Sequence, residues 1–253
     1  MKKRTLAAIG LLSLLISAIA LAPATLLRLL PLQGSGIELG RLSGSLWSGR
    51  SAYIVAQQHR LDEVSWTFLA SSLLTARLGL QLEARHLGRP LSTVVEAGVD
   101  QTLYLQDTRL SLPASFINTM GWIPIGEIAG DISADIAHAE IAHQSVPLAV
   151  GVLYWREASV TVAETARLGN VQITLDGIDD DKLLATLKSQ GGDITLSGDA
   201  EVLPAGDYDV DVSMVAGNSA SNNVKNTLRM FAKPQGDGSF SLSHQGNIFE
   251  LGF

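Results

Sequence analysis

The chain has 253 residues, a formal charge of −7 and no cysteine; 46% of it is hydrophobic and 17% charged. The missing cysteines exclude disulfides, thiolate metal sites, iron–sulfur ligation and cysteine nucleophiles, and the hydrophobic content excludes a disordered chain. Lys2, Lys3 and Arg4 take three of the 18 cations, leaving 15 against 25 anions and so no broad basic face for nucleic acid.

The first predicted element is a membrane span. Residues 5–27 are 23 positions without a formal charge, mostly Leu, Ile and Ala, bracketed by Met1-Lys2-Lys3-Arg4 and Arg28. At roughly 1.5 Å per residue such a helix crosses about 30 Å of hydrocarbon. Cations ahead of the run keep the N-terminus in the cytoplasm and send the rest outward. A cleaved signal is the competing reading, with Ser17-Ala18-Ile19-Ala20 and Ala22-Pro23-Ala24 as cleavage candidates. The apolar run exceeds the 7–15 residues usual for a signal, which favours a retained anchor. The expected organisation is a cytoplasmic tail at 1–4, an anchor at 5–30 and an exported body at 31–253.

After the linker Gly34-Ser35-Gly36 comes Gly44-Ser45-Leu46-Trp47-Ser48-Gly49. A Trp between glycines reads as a packing anchor under a close strand approach, so Trp47 is expected to be substantially buried. Trp66, Trp122 and Trp155 are spread along the chain as core residues and make no stacking platform.

Further on, period-2 patterns dominate. Leu78, Leu80 and Leu82 alternate with other residues; Ile128, Ile132 and Ile136 share a face with Gly130 and Ala134; Val171, Ile173 and Leu175 alternate with polar neighbours. Ile194, Leu196, Gly198, Ala200 and Val202 do the same, followed by Tyr208, Val210, Val212 and Met214, and by Phe240, Leu242 and His244. Turn signals fall at Gly191-Gly192, Pro204-Ala205-Gly206-Asp207, Asp237-Gly238 and Gln245-Gly246-Asn247. A loose pattern at Gly126, Gly169 and Gly192 opens strands. Three short helices are predicted, over 112–120 with Pro113 at its start, over 180–189 behind an aspartate cluster, and over 223–231 with Asn223 as cap. The predicted fold is all-β or β-dominant: a curved, mainly antiparallel sheet with a few short helices and one N-terminal transmembrane helix.

No nucleophile elbow, Walker loop, zinc-protease helix or dinucleotide fingerprint occurs. Asp131, Asp135, His138 and Glu140 form the densest acidic–histidine stretch, the one a hydrolase would use. Regular alternation explains them better, and His143 has the opposite parity to His138. Asp179-Asp180-Asp181 lacks calcium-loop spacing and suits a helix start. The expectation is therefore no enzyme, no catalytic or metal-binding residue and no cofactor.

The whole pattern resembles the protein N family of the type II (general) secretion pathway. It is carried by the basic start with one membrane helix, by Gly44-Ser45-Leu46-Trp47-Ser48-Gly49 in the form G-x-L-W-x-G, and by Val152-Leu153-Tyr154-Trp155 before Arg167-Leu168-Gly169-Asn170-Val171. Tyr208-Asp209-Val210 and Asp237-Gly238-Ser239-Phe240 before Gly246-Asn247-Ile248 complete it. The resemblance implies a non-enzymatic accessory component in the inner membrane, single-pass, with a periplasmic β-rich domain. Its partners would be other secretion-system proteins, in support of folded-protein export across the outer membrane. The residues that map onto the motif are Gly44, Leu46, Trp47 and Gly49. The alternative is an anchored β-groove protein that carries lipid or another apolar ligand.

Overall fold

The computed structural model describes residues 10, 13–14, 17–29, 36–56, 59–119, 126–142, 145–162, 164–177 and 182–251. Antiparallel strands account for most of them, and every pairing given below joins antiparallel neighbours, as one-sided alternation requires. The chain forms two units, Met1–Ser92 and Thr93–Phe253.

In the first unit, β1 (Ile37–Leu39), β3 (Ser48–Ala56), β4 (His59–Leu69) and β5 (Arg77–His86) lie in that order, and β2 (Leu42–Gly44) also pairs with β3. A 3₁₀ turn over Ala24–Leu29 precedes them and another, Ala70–Thr75, joins β4 to β5. The buried centre is Ala24, Leu42 and Trp66, with Leu27, Leu39 and Leu82 packed around them. The division between the units falls inside β6 (Arg89–Gly98).

The second unit is a meander: β7 (Leu103–Pro113), β8 (Glu127–Ile141), β9 (Leu148–Thr161), β10 (Thr165–Asp176), β11 (Leu183–Gly191), β12 (Ile194–Val202) and β13 (Asp207–Ala216) follow one another in space as in sequence. The hairpin of β14 (Lys233–Pro234) and β15 (Ser239–Asn247) adds β15 beside β13. Register puts apolar residues opposite one another, as in Leu196 with Met214 and Gly198 with Val212. Buried Leu168, Val171, Ile194, Ala158, Ala220 and Val224 form its core. Val224, together with half-buried Leu228, brings one side of α2 (Asn222–Phe231) onto that face.

The β-dominant, antiparallel expectation is borne out, and so are the turns at Gly191-Gly192, Gly206 and Asp237-Gly238. Five local expectations are corrected. From Leu183 onward, the helix expected over 180–189 is strand β11, paired on both sides with β10 and β12. Its Leu183 and Leu187 satisfy either period, and two neighbouring strands that each need a partner decide it. Only Ser115–Thr119 of the segment 112–120 is helical (α1), because Leu112 and Pro113 still belong to β7 opposite Ile132 and Asp131. The cap of α2 is Ser221, whose hydroxyl accepts from the Val224 amide at 3.1 Å, and Asn223 already lies inside the helix. Gln245-Gly246-Asn247 is no turn but the end of β15, where Gly246 makes room for the Tyr208 ring. Gly169 likewise lies within β10, at a bulge.

Among the described residues no helix is long and apolar enough to cross a membrane. The expected span at 5–30 falls partly outside the described residues, as do Trp122, His143 and Asp179-Asp180-Asp181.

Candidate functional site

The G-x-L-W-x-G sequence is the β2–β3 hairpin. Gly44 and Gly49 face each other across it, and the Ser45 amide donates to the Ser48 carbonyl at 2.9 Å. Gly44 has φ +85°, a left-handed conformation that glycine adopts without a steric penalty. Gly49 is required by proximity, since a β-carbon there would collide with the Trp66 ring and the Ser45 carbonyl. The ring over the hairpin is therefore Trp66, which is buried, and its indole N–H donates to the Leu46 carbonyl at 2.9 Å.

Trp47 differs from expectation. It is only half-buried, because its side chain leaves the hairpin on the side of the preceding chain. Its indole N–H donates to the Ile19 carbonyl at 2.8 Å, and its ring meets Phe68 edge-on with centroids 5.2 Å apart. The Leu46 amide donates to the Ala22 carbonyl at 2.9 Å, and Pro23 bridges to Ser45. Behind them Ala24 is fully buried against Leu42 and Trp66, and Arg28 donates to the Gly40 carbonyl at 3.1 Å. The motif is thus a clasp. Its glycines admit Trp66, while the Leu46 backbone and the Trp47 indole hold residues 19–24, the end of the apolar run. The Ile19 carbonyl, which also accepts from the Ala22 amide at 3.1 Å, and the Ala22 carbonyl each receive a donor from it.

Sequence reasoning found Gly44, Leu46, Trp47 and Gly49 and read Trp66 as core, which it is, but did not connect Trp66 to the hairpin and missed Ala24. The alternation Val64, Trp66, Phe68 was the available signal for Trp66; a small residue such as Ala24 gives none. A cleft of about 290 Å³ beside the hairpin is lined by Ser43, Arg50, Ser65, Thr67, Gln81 and Glu83 among others.

The acidic–histidine stretch on β8 does not converge. His138 Nε2 lies 2.9 Å from Glu140 Oε1, both half-buried, whereas Asp131 and Asp135 are exposed on the other parity, with Asp135 beside Arg109. Among the described residues no group of three His, Asp or Glu side chains is placed to hold a metal ion.

The Arg167-Leu168-Gly169-Asn170-Val171 segment has a different task. Arg167 forms a bidentate pair with Asp193, with both bonds at 3.0 Å. That pair, a hydrogen bond from Ser219 and the Arg167 amide hold the Asp193 carboxyl down at about 2. Asn170 accepts from the Glu157 amide across the β9–β10 bulge. The segment ties β9 and β10 to the β11–β12 turn.

A profile of the family described as "Type II secretion system (T2SS), protein N" matches residues 35–243. The chain is 27% identical to a type II secretion system protein N from Aeromonas hydrophila, over 98% of this chain and 100% of that one. It is 26% identical to the protein of that name from Pectobacterium carotovorum subsp. carotovorum (90% of each chain), and 27% identical to the one from Vibrio cholerae serotype O1 (84% and 86%). No solved structure matches it. With the match running from just before the clasp hairpin into β15, the chain belongs to the protein N family of the type II secretion system.

Proposed function

We propose that this chain is a non-catalytic accessory subunit of the type II secretion system, anchored once in the inner membrane by its N-terminal apolar run, the end of which is built into the body, with that β-rich body in the periplasm. It works by binding other proteins of that system and so supports export of folded proteins across the outer membrane. The observation that carries this reading is the clasp. A chain cut after Ala20 would lose the Ile19 carbonyl that Trp47 holds. One cut after Ala24 would lose the centre of the Leu42–Trp66 cluster. The end of the apolar run is built into the body, as befits a retained anchor. Gly44, Leu46, Trp47 and Gly49 then serve to fix body to anchor. A surface for partners is also at hand: β14 covers β15 only opposite Ser241 and Phe240, and among the described residues no other strand pairs that edge. Free strand edges accept strands from other chains.

The test is deletion of the gene and complementation with full-length chain, scored by export of a folded substrate, together with the mass of the protein purified from membranes. Unchanged export in the deletion strain rejects the accessory role. A mass lacking the first 20–24 residues rejects the anchor.

One observation favours the lipid-carrier reading as second. On β12 and β13, Ala200, Val202, Tyr208 and Val210 are half-buried and lie outside the cluster that α2 covers. Mass spectrometry of the purified chain for co-purifying lipid tests it, and a lipid-free protein from several preparations rejects it.

A further inference from the structure

The meander of the second unit ends on a strand that is covered for only part of its length. The Gln235 amide donates to the Ser239 carbonyl at 2.8 Å, which sets the direction: alternate residues of β15, counted from Ser239, point their backbone N–H and C=O away from β13. β14 stands opposite Phe240 and Ser241, and its Pro234 gives that stretch the protection that edge strands usually carry. Beyond it, the backbone groups of Ser243, Gln245 and Asn247 face no strand among the described residues. After Asn247 the chain turns the other way. The Ile248 amide donates to the Gly206 carbonyl at 2.9 Å, and a β-carbon on Gly206 would collide with the Phe249 ring.

One face behind that edge is acidic. Ser243, Gln245 and Asn247 stand in register with Asp211, Asp209 and Asp207 of β13 and share their face. The face continues on β12, with Asp199 opposite Asp211 and Glu201 opposite Asp209. Like charges directly opposite one another destabilise a sheet, and here two such pairs lie side by side. Neutral neighbours answer three of the five carboxylates: Thr186 donates to Asp199 at 3.0 Å, Gln245 to Asp209 at 2.8 Å and Asn247 to Asp207 at 3.0 Å. Glu201 has a cation beside it, Lys182 at 3.1 Å. The other face of β15 carries exposed Leu242 and His244, the latter 5.7 Å from the Tyr208 ring between centroids.

The edge and its two faces together specify an occupant. A strand added to β15 lies two strand spacings, about 10 Å, from β13, with only Ser243, Gln245 and Asn247 between. That is within the Debye length of about 10 Å at 0.1 M salt, so charge on the added strand counts. A second copy of β15 would bring its own Asp207, Asp209 and Asp211 toward these and add to the repulsion. Lys or Arg relieves it. On the opposite face the added side chains meet Leu242 and His244, which suits apolar residues. We propose that the open edge of β15, from Ser243 to Asn247, takes an extended segment of a partner protein that alternates Lys or Arg with apolar residues, its cations on the side of Asp207, Asp209 and Asp211. This deepens the partner-binding reading above and rests on it.

The probe is a short fluorescent peptide of alternating Lys and Val, set against its Glu–Val counterpart and added to the full chain in detergent. Anisotropy should report binding of the Lys peptide that weakens as salt rises, and far less binding of the Glu peptide. On the unmodified chain, the Lys peptide should slow hydrogen exchange at the Ser243, Gln245 and Asn247 amides and leave β10 unchanged. Ser243→Pro removes one outward N–H at an edge position that tolerates proline, with circular dichroism as a check on folding. It should lower the affinity by about tenfold, the loss of one ladder hydrogen bond. Asp209→Asn with Asp211→Asn should weaken the Lys peptide and narrow its lead over the Glu peptide. Equal binding of the two peptides, or none of either, overturns the proposal. So does slowed exchange on β12 and β13 without protection at Ser243, Gln245 and Asn247, because the acidic face would then act without the edge. A peptide-free mass that is double, and single again in Ser243→Pro, gives the edge to a second copy and also overturns it. In the deletion strain, the Ser243→Pro chain should restore export poorly. Full restoration where the deletion itself impairs export overturns the edge and leaves the accessory role standing. If the deletion leaves export unchanged, the accessory role is what fails, since the peptide measurements need no secretion system.

Discussion

Two tryptophans nineteen residues apart divide one task. Trp66 is buried under the hairpin, so Trp66→Ala should cost about 3–5 kcal/mol in denaturant melts. Trp47 is half-buried and contributes one hydrogen bond and one ring contact, so Trp47→Ala should cost less, about 1–3 kcal/mol. Equal losses would contradict the clasp geometry. Gly49→Ala should behave like Trp66→Ala, since the new methyl drives into that ring. The sequence made Trp47 conspicuous because glycines flank it, and it hid that those glycines serve a ring from another strand. Asp193 offers a pH test. Its carboxyl is held at about 2 by Arg167, Ser219 and the Arg167 amide. A depressed carboxylate stabilises the fold fully above the ordinary value near 4 and loses that contribution as pH falls toward its folded value. Melts between pH 5 and about 2 should therefore show an acid-dependent loss that Asp193→Asn lacks, with Asn less stable at neutral pH.

At the scale of elements, α2 depends on its cap. Ser221 accepts from the Val224 amide and donates to Glu164 at 2.9 Å. Ser221→Ala should cost about 0.5–2 kcal/mol, read as faster hydrogen exchange across 222–231. The strands were the legible part of the sequence. Tyr208 to Met214 alternates so strictly that register with β12 and β15 follows once neighbours are known. The β11 segment was not legible, because Leu183, Leu184 and Leu187 after three aspartates look like a capped helix. Its strand state comes from β10 and β12, which no local window contains. Gly246 misled in the same way: a glycine beside Asn reads as a turn, yet here it answers to the Tyr208 ring on the adjacent strand. The clasp was half legible, its glycines and Trp47 in the motif, its partners Ile19, Ala22 and Ala24 within a run that reads only as apolar.

On the scale of the whole molecule, the two units close their cores by different means. The second uses its own helix, with Val224 and Leu228 seated on Leu168, Val171 and Ile194. The first uses chain that comes before its strands, with Ala24 fully buried and the hairpin bonded to Ile19 and Ala22. The segment that a signal would discard is thus part of the first unit's core. Replacing residues 1–29 with a cleavable export signal should therefore leave exchange in β10 to β13 unchanged and speed it through β2, β3 and β4. Losing buried Ala24 and the donors' partners opens a cavity beside Trp66 and strands the Leu46 amide and Trp47 indole, and either defect destabilises. Hydrogen exchange on the full and truncated chains reads both units at once. Uniform loosening would mean that the second unit also leans on the leading segment, and no change in β2 to β4 would mean that the clasp holds nothing.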